Sequence, residues 1–435
     1  MDLDAVVLAD SSLAAVRIAG LSARERAIRV AQRVGATRVH VIDTAAQRAE
    51  LVAWHGASTA PLLLLRADQL VHTPLAQPLA DWLRAGGTGA AITVGDLPSG
   101  TYGGALVVTG ATAATLIAGL ARGEADTQLV AALAPAPASV LQGAVARHAI
   151  GTPAERRGAH RLLYKILVKP QDNAITRYLY RPVSFPLTRL LVWTPITPNQ
   201  VSYLVALLVA LGCWLTARAS FDAAFAGTAI VLAASYLDCC DGEIARLKLR
   251  ASKLGAWLDT IIDELSSLGY MVALGWHCHL AFGPTYFGAL PFDPWVVAIA
   301  VSLVTYTASI YIIYFNIIVA VGSANSQDYA RHFEVVPAAA PDHVRLVPTP
   351  PIDSSAELPA WLRPVVRYGP NIVRRDFISW GATVLAGLHL TQVAFSLFAV
   401  FGVITVVILG LDHLRLQALR RSIAASGRVL DAPAR

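Results

Sequence analysis

Charge is scarce in this 435-residue chain: Asp, Glu, Lys and Arg make up 15% of it, against 55% hydrophobic residues. A chain this apolar is not expected to be wholly soluble. Cysteine is rarer still. Cys213, Cys239, Cys240 and Cys278 are the four, none in C-x-x-C spacing, so neither a disulfide framework nor a cysteine-based zinc site is expected. Residues 1–150 contain no lysine. The N-terminus shows no charged-then-apolar leader, and a cytoplasmic start is expected.

The chain does have long apolar runs. Stretches near 201–217, 223–245, 256–282, 294–321, 377–390 and 392–411 are read as spans against the ~20 residues that cross a bilayer core, the fifth being short. The expected fold class is therefore multidomain, a soluble α/β domain followed by an all-α polytopic membrane domain of six transmembrane helices. Arg246, Lys248, Arg250 and Lys253 lie between runs two and three, and further arginines lie between runs four and five and after run six. The intervening loops near 283–293 and 391 hold no Lys or Arg. Positive residues stay on the inner side, so both termini and the basic loops are expected to face the cytoplasm.

Net charge is +6, yet residues 1–150 balance 11 Lys and Arg against 11 Asp and Glu. The basic excess belongs to the membrane part, where it suits anionic lipids and phosphorylated substrates, and no nucleic-acid partner is expected.

Residues 1–150 alternate strand-like and helix-like segments: strands near 5–9, 38–42 and 61–65, a helix over 23–34, and further strands near 90–94 and 104–109. Such alternation predicts a largely parallel sheet covered on both faces. Residues 134–138, Ala-Pro-Ala-Pro-Ala, have linker composition. Residues 151–200 read as linker and an amphipathic juxtamembrane helix broken by Pro182 and Pro186, with Arg177 and Arg181 as headgroup contacts. The membrane domain spans 201–420 with an irregular, proline-rich cytoplasmic excursion at about 322–376 that ends in Arg374-Arg375-Asp376, and 421–435 form a tail. Arg374 and Arg375 are candidates for a substrate phosphate or for anchoring at the membrane edge. His277 and His279 project to different helix faces, which argues against a metal site there.

Against the apolar background, one stretch concentrates charge. Asp238, Asp241, Gly242 and Ala245 lie at i, i+3, i+4 and i+7, with Arg246 next to them, and Gly255, Asp259 and Asp263 at i, i+4 and i+8. Each set makes one helix stripe, and a short link at 247–254 would let the stripes face each other. Four convergent carboxylates repel unless cations sit among them. No histidine lies near, so hard oxygen ligands point to Mg²⁺, Mn²⁺ or Ca²⁺ rather than Zn²⁺.

Written as D-x2-D-G-x2-A-R-x8-G-x3-D-x3-D, this stretch fills every fixed position and resembles the signature of the CDP-alcohol phosphotransferase family. An Arg-Tyr-Leu-x-Arg-Pro-x-Ser segment at 177–184 and the Thr-Pro-Asn entry at 197–199 extend the resemblance over roughly 165–420. It implies an enzyme of six membrane helices that transfers a phosphoryl-alcohol group from a CDP-alcohol donor to an alcohol acceptor and releases CMP. Two divalent cations, Mg²⁺ or Mn²⁺, would be held by Asp238, Asp241 and Asp259, with Asp263 completing the shell and taking the proton of the attacking hydroxyl. Gly242, Ala245 and Gly255 would leave room for the nucleotide, Arg246 would offer its fork to a phosphate, and Thr197 and Asn199 are further candidates for the nucleotide pocket. Capping of the first membrane helix is the plainer role for those two. Partners are the donor, the acceptor and membrane lipids, with a second copy of the chain, in a homodimer, as a further candidate. A lipid donor in phospholipid biosynthesis is the first reading, and a polar donor such as CDP-inositol is the second. Prenyltransferases also bind diphosphate through aspartates, but on two distant motifs. An ion-binding transporter is the competing class.

The N-terminal order of elements, with Arg66-Ala-Asp68 after a leucine strand, resembles sugar-phosphate nucleotidyltransferases. That family holds its nucleotide on a glycine-rich turn followed by Arg and Lys. Here the turn is residues 8–17, Leu-Ala-Asp-Ser-Ser-Leu-Ala-Ala-Val-Arg, without glycine. The expectation is a degenerate, non-catalytic domain with a structural or regulatory role.

Overall fold

The computed structural model describes residues 2–96, 100–168, 175–322, 328–338, 340, 342–349 and 375–431. The chain divides into two compact units. One comprises Met1–Pro170, Thr188–Ile196 and Glu243–Arg250, the other Gln171–Leu187, Thr197–Gly242 and Ala251–Arg435.

The first unit is α/β. In order it contains β1 (Leu3–Leu8), α1 (Ala23–Arg33), β2 (Ala36–Ile42), α2 (Ala45–His55), β3 (Leu62–Arg66), α3 (Thr73–Arg84), β4 (Ala90–Val94), β5 (Tyr102–Val108), α4 (Ala111–Ala121), α5 (Asp126–Ala131), β6 (Ala138–Leu141) and α6 (Pro153–Tyr164). Ser22 and Glu25 start α1 with a reciprocal capping box, which the Ser-x-x-Glu spacing encodes. Because side chains alternate along a strand, Leu3, Ala5, Leu63 and Leu65 join one core with α1 and α3. Val6, Leu62 and Leu64 join another with Leu116 and Ile117 of α4. The sheet is thus covered on both faces.

Strand order is β2-β1-β3-β5-β4-β6. β1 runs parallel to β2 and β3, but β5 is antiparallel to both β3 and β4. The sheet is thus largely parallel, as expected: β5 alone is reversed, because the short connection from β4 to β5 returns the chain antiparallel, while β6 runs parallel to β4. Residues 134–138 are a connection inside this unit rather than an exit from it: β6 begins at Ala138 and pairs with β4.

In the second unit each of the six expected apolar stretches is helical. After α7 (Arg181–Leu191) come α8 (Pro198–Thr216), α9 (Phe221–Leu247), α10 (Lys253–Phe282), α11 (Pro294–Asn316), α12 (Arg375–Gly387) and α13 (Thr391–Ala425). α8, α9, α11 with its extension to Val321, and α13 are long and apolar enough to cross a membrane. α10 carries Lys253, Asp259, Asp263 and Glu264, and α12 has only 13 residues. α10 packs on α8 and α11, and α11 packs on α13.

Three expectations change here. Pro182 and Pro186 lie within α7 and do not break it. Pro182 sits in the first turn, where no helical N–H partner is needed, and a π-turn at Thr176–Tyr180 leads in. The second unit is not all-α: Phe333–Pro337 and His343–Pro348 pair antiparallel, and Val429–Leu430 of the tail adds a parallel strand. Part of the supposedly irregular excursion is thus a small sheet, packed through Val344 and Leu346 on Ala320, Leu416 and Ile423. The Asp172–Ala174 start of the juxtamembrane segment, residues 350–373 and Arg374 lie outside the described residues, as do the side chains of Arg375 and Asp376.

Candidate metal centre

α9 and α10 bring three of the four predicted acids together. Asp238 and Asp241 sit one turn apart on α9 and Asp259 lies in the second turn of α10, and one carboxylate oxygen from each lies within 4.8 Å of the others. Three carboxylate oxygens this close would together be able to hold small divalent ions, which take hard oxygen ligands. Asp241 is buried, while Asp238 and Asp259 are half-buried. Three negatively charged oxygens this close cost free energy unless a cation or a proton offsets them. Among the described residues this is the grouping of His, Cys, Asp and Glu side chains fit to hold a metal.

α8 supports the cluster. The hydroxyl of Ser202 donates to Asp241 Oδ2 at 2.5 Å and also reaches Pro198 O at 3.3 Å. α8 and α9 can lie this close because Gly212 and Gly227 meet: a Cβ on Gly227 would stand 2.4 Å from Thr216 N and 2.5 Å from Gly212 O. Small residues let helix backbones touch in this way. Thr197 caps α8 through a capping box with Gln200, so its hydroxyl is committed to the helix start. Asn199 borders Gly255, where an added Cβ would lie 3.4 Å from Asn199 Oδ1. Gly242, Ala245 and Arg246 continue α9 beyond Asp241, all half-buried.

Asp263 is not in the three-acid grouping. It instead lines, with Asp238, a cavity of about 290 Å³ walled by Ser235, Ser267, Tyr306 and apolar side chains such as Val209 and Phe398. Glu264 also lines this cavity, and sequence reasoning passed over it. Tyr306 donates its hydroxyl to Glu264 Oε2 at 2.8 Å and Tyr314 to Oε1 at 3.1 Å. The signal was a second acid beside Asp263 on an apolar helix, with two tyrosines eight residues apart on the next one. Ser202, the other omission, had only its one-turn offset from Pro198 to mark it.

The remaining candidates fall elsewhere. Arg177 is exposed, whereas Arg181 is buried and lies 5.3 Å from the Phe185 ring. His277 meets Arg218 O at 2.5 Å and Thr391 Oγ1 at 3.0 Å, while His279 Nδ1 meets Asp293 Oδ2 at 2.6 Å. In the α/β unit, Asp68 pairs with Arg66 through both carboxylate oxygens. Arg17, at the end of the glycine-free turn, is exposed.

Residues 195–338 match the family model for CDP-alcohol phosphatidyltransferase. The chain is 34% identical over 150 residues to the "Bifunctional IPC transferase and DIPP synthase" of Aquifex aeolicus, covering 34% of this chain and 32% of that one. It is 36% identical over 128 residues to the protein of the same name from Thermococcus kodakarensis, covering 29% and 28%. The Rubrobacter xylanophilus protein of that name matches at 34% over 115 residues, 26% of either chain. The matches span about a third or less of these relatives' own length.

Proposed function

We propose that the chain is an integral-membrane transferase that moves a phosphoryl-alcohol group, of the phosphatidyl type, from a CDP-activated donor to an alcohol acceptor and releases CMP, in phospholipid biosynthesis. The observation that carries this reading is the convergence of Asp238, Asp241 and Asp259 within 4.8 Å on a helix pair that fills the whole D-x2-D-G-x2-A-R-x8-G-x3-D-x3-D pattern. An all-carboxylate donor set fits Mg²⁺ or Mn²⁺. When bound, such ions neutralise the donor's diphosphate and stabilise CMP as it leaves.

The chain's own residues do the rest. Asp238, Asp241 and Asp259 hold the cations, with Ser202 orienting Asp241. Gly242, Ala245 and Gly255 leave space for the nucleotide beside Asn199 and the Thr197 cap, and Arg246 holds a phosphate. The acceptor hydroxyl enters from the cavity beside Asp263, which removes its proton as the oxygen attacks the phosphorus bearing the donor's alcohol. One P–O bond forms, the P–O bond to CMP breaks, and the proton passes from Asp263 to water. We place six helices across the cytoplasmic membrane, α10 and α12 included, with both termini and the aspartates on the cytoplasmic side.

A second reading replaces the lipid donor with a polar CDP-alcohol such as CDP-inositol. The hydroxyl-rich cavity wall at Ser235, Ser267 and Tyr306 favours it, and the names of the relatives are consistent with it. A panel of lipid and polar CDP-alcohols with candidate acceptors, assayed for CMP and followed by mass spectrometry of the product, separates the two. Protein that binds Mn²⁺ yet yields CMP with no donor would sink both and leave an ion-binding transporter.

A further inference from the structure

We infer that the α/β unit anchors the turn between α9 and α10, and that Leu249 and Arg29 are positioning residues for the aspartates on those helices; the inference rests on the metal-dependent transfer reading of that site. The end of α9 is closed by two hydrogen bonds, Leu249 N–H to Arg246 O at 3.3 Å and Arg250 N–H to Ala245 O at 2.8 Å. Leu249 takes a left-handed backbone conformation with φ 52°. This is the glycine position of a Schellman motif, and a leucine is strained there. The side chain supplies the reason for it, because Leu249 is buried in the core formed by Leu3, Ala5, Val30, Leu63 and Leu79 of the α/β unit.

Polar ties hold the same segment. Arg29 Nη1 on α1 donates to Lys248 O at 2.6 Å across 219 residues of sequence. Lys248 Nζ donates to Thr194 O at 2.7 Å and Ile196 O at 2.9 Å, which fixes the strand of chain that runs directly into the Thr197 cap of α8. A third tie is steric. Gly20, at φ 79°, lies against Val192 so closely that a Cβ would fall 2.0 Å from Val192 O; it turns the chain between Arg17–Ile18 and Leu21–Ser22, which pair antiparallel, and Arg26 Nη2 donates to Ile18 O at 3.1 Å.

One folded unit therefore grips the chain just before α8 and just after α9. α8 supplies Ser202 and α9 supplies Asp238 and Asp241. Metal ligands function only when held within about 0.5 Å of their working geometry, and helices whose ends are pinned keep that register. This gives the N-terminal domain a use that needs no nucleotidyl chemistry.

The test uses full-length protein in lipid nanodiscs and two readouts independent of turnover: hydrogen exchange of the 248–252 amides and Mn²⁺ binding by titration. Leu249→Gly is the informative variant, because glycine suits the left-handed position. If Leu249 merely ends a helix, exchange stays as slow or becomes slower. If it is an anchor, exchange there rises roughly tenfold and Mn²⁺ binding weakens by about as much, while β1 amides stay protected. Arg29→Ala should move both readouts the same way, Arg29→Lys less so, and Arg24→Ala, in the same unit but paired with Asp43, not at all. Unchanged exchange and unchanged Mn²⁺ binding in both Leu249→Gly and Arg29→Ala overturn the inference. Absence of CMP release with the exchange and Mn²⁺ effects intact would count against the transferase reading alone.

Discussion

In the α/β unit acids meet arginines, and where α9 faces α10 acids meet acids. Asp10 pairs with Arg48 at 2.5 Å and Asp4 with Arg38 at 3.5 Å, and Asp43 and Asp68 are closed by Arg24 and Arg66. On α9 and α10, Asp238, Asp241 and Asp259 bring oxygens within 4.8 Å of each other. Such a pair neutralises itself and asks for no ligand, and where it is exposed, as in Arg24–Asp43 or Arg48–Asp10, it contributes roughly 0–1 kcal/mol. Converging carboxylates store repulsion that a cation releases, so they mark where binding free energy is available. The same residue type is thus used for shape in one region and for chemistry in the other.

The contrast can be broken by neutralising one acid in the cluster. Asp259→Asn should lower CMP release by a factor on the order of 10² to 10³ while membrane insertion, checked by reconstitution, is kept; normal turnover would remove the aspartates from the mechanism. Ser202→Ala leaves all the acids but loses the 2.5 Å bond to Asp241. Groups that orient metal ligands are worth about 10–100-fold in metal affinity, so the Mn²⁺ concentration for half-maximal CMP release should rise by that order. Acid should instead act on the α/β unit. Burial, followed by Arg26 and Arg33, pushes His72 down to about 4. As pH falls from 6.5 toward 4 the unfolded chain takes up a proton that the folded unit refuses, so stability is lost on acidification. From pH 7 to pH 5 the loss is about 2 kcal/mol at 1.36 kcal/mol per pH unit, readable as faster exchange of β1 and β3 amides and absent in His72→Gln.

The cluster was legible because its spacing is local: three acids and two glycines at helical intervals needed only a short turn to converge. The helices were legible for the same reason, as long apolar runs. Contributions from distant sequence were not. Ser202 meets Asp241 only after α8 packs on α9, and Glu264 gains its meaning from Tyr306 and Tyr314, 42 and 50 residues away. The largely parallel sheet was legible from the alternation of elements, and only the reversal of β5 escaped, because strand direction there depends on how short the connection to β5 is. The strands at 333–348 were hidden by proline-rich composition, and their third partner, Val429–Leu430, comes from the far end of the chain. Leu249 gave no sign at all, since a leucine in a basic loop looks incidental until its backbone angle and burial are seen together.

The smallest expected effect sharpens the contrast most. Arg17 lines a cleft of about 440 Å³ near the carboxyl ends of β1 and β2, with Ser11, Arg24, Glu25 and Asp43. Ligands in open α/β sheets bind at such strand ends, and the resemblance to nucleotidyltransferases would put a nucleoside triphosphate there. The charges argue otherwise. Arg24 is tied to Asp43, and Glu25 is an acid held below the usual carboxylate range, chiefly by the Ser22 backbone N–H. That leaves Arg17 balanced by Glu25, so the lining offers no net positive charge to a ligand with several negative charges, on a turn that offers no glycine for close backbone approach. Arg17→Ala should therefore leave CMP release unchanged and shift stability by no more than about 0.5 kcal/mol. A loss of CMP release in this variant, or CTP-dependent formation of a CDP-alcohol by the wild type that the variant lacks, would show that the paired-charge region also performs chemistry.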